Sequence, residues 1–205
     1  MEQMLNQLKE AIISADSNQV DILMEAMDGQ VDGSILYEKC IQTALDTLCA
    51  NIRLRKGAVP ELLMGLKQVD RIAEKIQVGK VRSTGERLII GVVEGDIHDM
   101  GKNVIRDVCR GYGHEVLDLG KNVPSGDFAS AARDNNADVA CLSTMMSTTV
   151  PAMKETVERL KSAKPDIRIL IGGAFMNSEF AEQFGASGYA EDASMIISEI
   201  KRVMQ

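Results

Sequence analysis

The chain has 205 residues, of which 26% are charged and 45% hydrophobic, a composition typical of a soluble globular protein with one large or two small domains. A net charge of −7 and few aromatic residues argue against a nucleic-acid partner, which needs clustered Lys and Arg. No stretch approaches the roughly 20 apolar residues of a membrane span, and the polar N-terminus lacks a signal-peptide core. The four separated cysteines indicate reduced, mostly buried thiols. We therefore predict a cytoplasmic protein with no membrane partner.

The first part of the chain, up to about residue 80, has only helical periodicity. Two apolar stripes predict two helices near the N-terminus. Asp32 has the residue type of an N-cap for a third helix, which Gly57 ends, and Pro60 begins a fourth. Four amphipathic helices with short connections predict a helical bundle over residues 1–78. The polar residues 79–86 then indicate an interdomain linker.

Strand and helix patterns alternate after this linker. The predicted strands lie near 87–93, 115–119, 138–143, 167–172 and 187–190, and the predicted helices near 101–112, 126–136, 150–163, 177–184 and 192–204. Their apolar runs favour a buried parallel sheet. The repeats over residues 87–205 therefore predict a flavodoxin-like, doubly wound, five-stranded parallel sheet. The chain as a whole is predicted to be α/β, with an N-terminal four-helix bundle before this sheet.

The loop after the first predicted strand carries the sequence Asp96-x-His98-x-x-Gly101. Ligands of open parallel sheets bind at the carboxyl ends of the strands, where this loop lies. An imidazole with a carboxylate two residues earlier, holding its second nitrogen, is a pre-oriented single metal ligand. The loop therefore predicts a site at which His98 binds a metal.

Several other kinds of site fit the sequence poorly. His98 and His114 are the only histidines, whereas a catalytic zinc site usually needs three protein ligands and a histidine-aspartate phosphohydrolase needs several histidines. His114, at the start of a strand, is predicted to face solvent. A dinucleotide-binding or Walker glycine motif is absent from the sequence. Gly101 and Lys102 at a helix start fit either an anion contact or simple capping.

Three further loops are predicted to lie on the same edge as His98. The run from Ser143 to Thr149 is rich in hydroxyl groups, Gly172-Gly173 follows the fourth strand, and a small-residue stretch, 185–193, surrounds the fifth. Helix capping or a turn explains each loop when it is taken alone. Glycine also lets a ligand approach the backbone. Together, in this order after the His98 loop, they favour one shared ligand site.

With these motifs in this order, residues 87–205 closely resemble the cobalamin-binding module. The resemblance implies a cobalamin cofactor whose own base is displaced from cobalt and enters a slot in the sheet. His98 would then be the lower cobalt ligand, and Asp96 would accept its other ring N–H. Thr149 would complete a proton relay running from His98 through Asp96.

The resemblance also implies further contacts with the cofactor. Gly101 would leave room beside the tail, Ser143 would hydrogen-bond the base, and Gly172 and Gly173 would line the slot. The family often has Leu and Thr where this chain has Met145 and Ser147, which keep the apolar volume and the hydroxyl group. Met100, within the ligand loop, would contact the corrin ring. The cofactor-binding set is therefore Asp96, His98, Met100, Gly101, Ser143, Met145, Ser147, Thr149, Gly172 and Gly173, with His98 as the metal ligand.

The N-terminal segment 56–64 resembles the helical cap of corrinoid proteins in methyltransferase systems. This resemblance implies a methyl carrier of one-carbon metabolism, whose corrinoid cobalt accepts a methyl group from a donor-specific methyltransferase. A second methyltransferase would pass that group to a tetrahydrofolate-type pterin or a thiol, and a reductive activase would be a third partner. The cofactor supplies the difficult chemistry, so the chain is predicted to be a subunit without complete catalysis of its own.

Three alternatives use a similar fold. The cobalamin subunit of a carbon-skeleton mutase needs an upper face open to a substrate barrel, and the helical cap disfavours it. A cobalamin-dependent sensor usually adds a DNA-binding domain, for which this chain has no room and the wrong charge. A flavodoxin-like protein that binds no metal is the third alternative.

Overall fold

The computed structural model describes residues 1–54, 57–76 and 85–205. Two compact units are present: one comprises the helices within Met1–Thr84 together with Gly111–Gly113, and the other comprises Gly85–Arg110 and His114–Gln205. Lys56 and most of the predicted linker, 79–84, lie outside the described residues. None of the helices within the described ranges is long and apolar enough to cross a membrane.

The first unit is the predicted bundle of amphipathic helices. Its elements are α1 (Glu2–Ile13), α2 (Ser17–Ala26), α3 (Gly33–Leu36), a π-helical segment (Tyr37–Gln42), α4 (Thr43–Arg53) and α5 (Val59–Ile76). The segments from α3 to α4 follow one another directly and form the predicted third helix, although the π-helical segment was not predicted. Asp32 is its N-cap, as predicted, and accepts a hydrogen bond from the Ser34 N–H at 2.8 Å. The apolar stripes form the buried core, including Leu8, Ile12, Ile41, Leu45, Leu66 and Ile72.

The second unit contains the predicted parallel sheet. Its elements are β1 (Arg87–Val93), α6 (Met100–Gly111), β2 (Glu115–Val123), α7 (Ser125–Asp134), β3 (Val139–Ser143), a 3₁₀ turn (Ser147–Thr149), α8 (Val150–Ala163), β4 (Arg168–Gly172), α9 (Ser178–Phe184), β5 (Gly188–Ala190) and α10 (Ile196–Met204). The five strands pair in parallel in the order β2-β1-β3-β4-β5. This is the flavodoxin-like order, so the predicted fold class is confirmed.

The two faces of the sheet have different roles because successive side chains point to opposite sides. On one face Ile89, Leu142 and Ile171 pack in a core with Phe128 of α7 and Met153 of α8. The opposite face carries the alternate residues of the same strands. The strand order reverses between β1 and β3, and ligands of such sheets bind at the carboxyl edge there.

Three boundaries or environments differ from the sequence predictions. Strand β2 extends to Val123 because its polar carboxyl half still pairs with β1 at the sheet edge. Helix α10 begins late because Asp192 accepts the Ser194 N–H at 2.7 Å and holds a turn before it. His114, predicted to face solvent, is buried, with Nδ1 3.4 Å from a Glu86 carboxylate oxygen.

Candidate functional site

His98 lies in the loop between β1 and α6, at the carboxyl edge of the sheet. Its Nδ1 atom is 2.7 Å from Asp96 Oδ1, and its backbone N–H donates to the same oxygen at 2.9 Å. The Asp96 side chain is fully buried, whereas the His98 side chain is 53% exposed. The carboxylate therefore fixes one side of the ring, and Nε2 on the other side is available as a single nitrogen ligand.

The second oxygen of Asp96 is held by the end of the neighbouring strand. It accepts the Thr144 hydroxyl at 2.9 Å and the Met145 backbone N–H at 2.6 Å. Burial acts to raise the pKa of Asp96. The backbone N–H groups of Met145 and His98, together with the side chains of His98 and Thr144, outweigh burial and lower the pKa to about 2. Asp96 is therefore ionised at neutral pH, which favours the His98 tautomer with its proton on Nδ1.

Thr144 links Asp96 to Thr149. The hydroxyl oxygens of the two threonines are 2.5 Å apart, and Thr149 also donates to the Met146 carbonyl at 3.0 Å. Both threonines are buried. The hydrogen-bonded chain thus runs from His98 through Asp96 and Thr144 to Thr149, with one more member than the sequence predicted. A buried carboxylate in the loop after β1 needs hydrogen-bond donors, and the adjacent end of β3 is the nearest source of them. This need could have indicated Thr144 from the sequence.

Asn122 holds the His98 loop against the end of β2. Its side-chain oxygen accepts the Gly95 N–H at 2.7 Å, and its backbone N–H donates to the Asp96 carbonyl at 3.0 Å. Gly95 has φ +86°, a conformation that favours glycine. These bonds stabilise the loop that carries the ligand. No local sequence pattern indicates Asn122, because its contact joins the end of β2 to a loop 27 residues earlier in the chain.

A slot lies on the sheet face that is opposite the Phe128 core. Strand pairing places Ser143, Gly172 and Ala190 in one row near the carboxyl edge, which we call the mouth row. Cys141 and Leu170, each two residues before its mouth-row neighbour on β3 and β4, form a second row with Ile90 of β1, which we call the inner row. Ile105 of α6 and Ile196 of α10 lie across from these rows. The small mouth row gives access to a largely apolar inner row.

The slot is narrow in this structure. It encloses a cavity of about 20 Å³, which has room for about one water molecule. A planar aromatic base is larger than this cavity, so its entry would require the walls of the slot to separate. The lining also includes Lys102, which is almost completely buried. Its ammonium group lies 2.6 Å from both carboxylate oxygens of Asp118.

The three glycines predicted to contact the cofactor have different environments. A Cβ atom on Gly101 would meet nothing within 4 Å, so this position has open space beside it. A Cβ atom on Gly172 would lie 3.1 Å from the Ala190 carbonyl oxygen. A Cβ atom on Gly173, which has φ +113°, would lie 1.9 Å from the Thr144 carbonyl oxygen. Gly173 is therefore required by the close approach of two loops, whatever ligand they hold.

Exposed apolar side chains lie on the loops at the edge that carries His98. Met100 at the start of α6 is 74% exposed, and Met145 after β3 is also exposed. Ile97 and Phe175 are exposed on the loops after β1 and β4 and were not predicted as site residues. Ser147, predicted to bind the cofactor, is exposed on the 3₁₀ turn. The edge therefore carries exposed apolar side chains, and a cluster of this kind is typical of a binding surface.

Comparison with known proteins places this site in a family. Residues 86–198 match the family described as B12 binding domain. The chain is 29% identical to dimethylamine corrinoid protein 1 of Methanosarcina acetivorans, covering 99% of this chain and 98% of that protein. It is 31% identical to a corrinoid protein of Desulfitobacterium hafniense strain Y51, covering 98% and 97%. The methanol:cobalamin methyltransferase complex MtaBC from Methanosarcina barkeri has a chain with a TM-score of 0.81 and 23% identity, covering 97% of this chain and 79% of that one.

The chain therefore belongs to the B12-binding domain family and, within it, to the corrinoid proteins. The predicted cofactor, cobalamin, is confirmed by this membership. The residues present fit such a group. His98 would offer one nitrogen to a metal whose other ligands come from a macrocycle, and the exposed apolar side chains at this edge would suit the flat surface of that macrocycle.

Loss of the Thr144 hydroxyl is expected to destabilise the second unit. In Thr144→Val the shape is nearly preserved, but Asp96 Oδ2 and Thr149 Oγ1 each lose a hydrogen-bond partner in a buried position. The free energy of unfolding should fall by about 1–3 kcal/mol. Urea denaturation of the cofactor-free protein measures the change.

The matched control is Thr144→Ser, which keeps the hydroxyl and should therefore keep most of the stability that Thr144→Val loses.

The pH dependence of stability gives a second test of the Thr144 hydroxyl. Asp96 has its pKa lowered from 3.8 to about 2, so its stabilising contribution is present above about pH 4 and is lost as the pH falls toward 2. In Thr144→Val the native pKa should rise toward 3.8, so the loss of stability on acidification should be smaller and should be complete at a higher pH. Equal stability of the valine and serine variants would contradict this role for the hydroxyl.

Proposed function

We propose that this chain is a methyl carrier. Its corrinoid cobalt would accept a methyl group from a donor-specific methyltransferase, and a second methyltransferase would transfer that group to a tetrahydrofolate-type pterin or a thiol. The observation that carries the proposal is the exposed His98 imidazole, fixed through Nδ1 by a buried, anionic Asp96. The relatives named as corrinoid proteins support the same role.

His98 in this proposal is the lower ligand of cobalt, bound through Nε2. A neutral imidazole can donate this nitrogen, whereas an imidazolium cannot. Asp96, 2.7 Å from Nδ1, would orient this ring toward the metal and would favour a positive charge on it. Thr144 and Thr149 hold Asp96 in place and extend the proton relay. In the proposal, His98 and Asp96 would thereby link proton uptake to binding of the metal.

Other residues have positioning roles in the proposal. Met100 and Met145 would contact the corrin ring, with Ser147 nearby on the 3₁₀ turn. Gly101 would leave room beside the tail. Ser143 would hydrogen-bond the base in the slot, which Gly172 and Gly173 would border. We further propose that residues 1–78 form the cap, 79–86 the linker and 87–205 the cobalamin-binding domain.

The proposed partners are a donor-specific methyltransferase, a methyl-acceptor methyltransferase and a reductive activase. The relative from Methanosarcina acetivorans is named for dimethylamine, and the Methanosarcina barkeri structure is a methyltransferase complex. These names support a methyltransferase partner and leave several methyl donors open. A cytoplasmic location is part of the same proposal.

The carrier role predicts that methyl transfer depends on partner enzymes. The purified chain is loaded with methylcobalamin and mixed with tetrahydrofolate or a thiol, with and without a methyltransferase captured on the immobilised chain. Absorbance reports loss of the methyl–cobalt bond, and mass spectrometry reports the methylated acceptor. We expect rapid transfer only when the partner is present.

Free methylcobalamin with the same partner is the control for transfer that bypasses the protein. Rapid transfer by the purified chain alone, from a simple methyl donor to tetrahydrofolate, would overturn the carrier role. It would instead show that the chain holds a complete catalytic site.

A further inference from the structure

The inner row of the slot is almost entirely apolar. Ile90, Cys141 and Leu170 are in register on three adjacent strands, so their side chains lie side by side on one sheet face. Ile105 and Ile196 line the opposite wall. The thiol of Cys141 is therefore the one polar side-chain group of this row, and aliphatic groups surround it.

The ammonium group of Lys102 is paired with Asp118 and does not serve the slot. Its side chain lines the slot, but its ammonium group makes two 2.6 Å contacts with Asp118. Asp118 also accepts from Arg106 at 2.9 Å and from the Gly120 N–H at 2.9 Å. This network holds the Lys102 ammonium on a carboxylate, so the slot receives mainly the aliphatic part of the side chain.

The backbone groups of the central strand beneath the inner row are also hydrogen-bonded, to the neighbouring strands. Strand β3 lies between β1 and β4 and pairs with both over its full length, Val139–Ser143. Its peptide groups are thus used in the sheet and cannot serve a ligand without breaking ladder bonds. Burial raises the pKa of the Cys141 thiol to about 12, so the thiol stays neutral and offers only weak hydrogen bonding.

We propose that the inner row selects the lower base of the corrinoid, favouring a benzimidazole that carries only hydrogen or methyl groups over a purine, with Cys141 as the central selecting residue. This inference rests on the proposed function, in which the displaced base enters the slot. Ser143 in the mouth row provides one hydroxyl for the ring nitrogen that every such base carries near its sugar. The far end of the ring then meets the inner row.

The selectivity follows from the cost of burying polar groups without partners. Adenine places an amine and additional ring nitrogens on its six-membered ring, and the inner row offers them only a thiol and hydrocarbon. Methyl groups at the same positions lose no hydrogen bonds and gain apolar contacts. An unsatisfied buried polar group is expected to lower affinity by about tenfold or more.

The test compares three cobalt(II) corrinoids on the full chain: cobalamin, the corresponding corrinoid with adenine as its base, and cobinamide, which lacks a base. Equilibrium titration followed by absorbance gives each dissociation constant, and electron paramagnetic resonance reports the axial nitrogen. We expect the dissociation constant of cobalamin to be lower than that of the adenine form by about tenfold or more. Cobinamide measures binding of the ring alone.

Cys141→Ser tests the selecting residue. The hydroxyl is a stronger donor and acceptor than the thiol, so the preference for cobalamin should shrink to about threefold or less, while cobinamide affinity stays unchanged. Cys109→Ser is the matched control, because Cys109 is buried on α6 and does not line the slot. It should keep the full preference. The comparison of corrinoids on the unmodified chain remains decisive if Cys141→Ser fails to fold.

The outcomes separate this inference from the proposed function. Equal affinity of the unmodified chain for cobalamin and the adenine form would overturn the selectivity and leave the carrier proposal intact. An unchanged preference in folded Cys141→Ser would reject Cys141 as the selecting residue. Failure of all three corrinoids to bind would overturn the proposed function together with this inference.

Discussion

Replacement of His98 by alanine is expected to abolish nitrogen coordination of the bound cobalt from the protein. The ring is the proposed ligand, which Asp96 holds at 2.7 Å, and alanine has no group that can replace Nε2. Electron paramagnetic resonance of the cobalt(II) form should lose the hyperfine pattern of an imidazole nitrogen. The affinity for cobalamin should fall by more than the roughly 10- to 100-fold that loss of a ligand's hydrogen-bond partner typically costs.

Two variants make the His98 result specific. Asp96→Asn keeps the imidazole but weakens its orientation, so coordination should persist with lower affinity. His114→Ala removes the other histidine, which is buried beside Glu86, and should leave the cobalt spectrum unchanged. Labelling the histidines with ¹⁵N should alter the hyperfine pattern of the unmodified protein. An identical spectrum in His98→Ala would show that the base of the cofactor, or another group, is the ligand.

Local sequence patterns were sufficient to predict most of the fold. The buried strands β1, β3 and β4 are short apolar runs, and such runs followed by amphipathic helices leave few topologies other than a doubly wound sheet. Edge strand β2 was predicted too short, because half of it is polar and its strand character comes from pairing with β1. The start of α10 depends on a side-chain hydrogen bond of Asp192, which periodicity does not reveal.

The His98–Asp96 contact follows from spacing alone, since two residues in a tight loop can place a carboxylate against an imidazole. Contacts with Thr144 and Asn122 come from other strands, and their choice depends on register and loop shape. The resemblance to the cobalamin-binding module implied Thr149 as a member of the relay but did not show that Thr144 lies between it and Asp96. Local chemistry was therefore predictable, whereas the order of contacts between loops was not.

The largest expected effect on stability distinguishes two glycines, Gly173 and Gly101, which the family resemblance assigned to the same cofactor. Gly173→Ala should lower the free energy of unfolding by about 3 kcal/mol or more, because the residue has φ +113° and its new Cβ atom would lie 1.9 Å from the Thr144 carbonyl oxygen. Gly101→Ala has open space around the added methyl group and an ordinary helical backbone. It should keep or slightly raise stability, since alanine favours helices by up to about 1 kcal/mol.

For cofactor binding, the informative variant is Gly101→Ala. The methyl group of Gly101→Ala would occupy the space that the proposal gives to the cofactor tail, so cobalamin affinity should fall while affinity for cobinamide, which lacks the base, is retained. Urea denaturation without cofactor, followed by titration with both corrinoids, measures the two quantities separately. Wild-type stability of Gly173→Ala would contradict the close loop contact, and wild-type cobalamin affinity of Gly101→Ala would remove Gly101 from the site. Because one variant perturbs the folded chain and the other perturbs only the ligand, the pair distinguishes a glycine needed by the loops from a glycine needed by the cofactor.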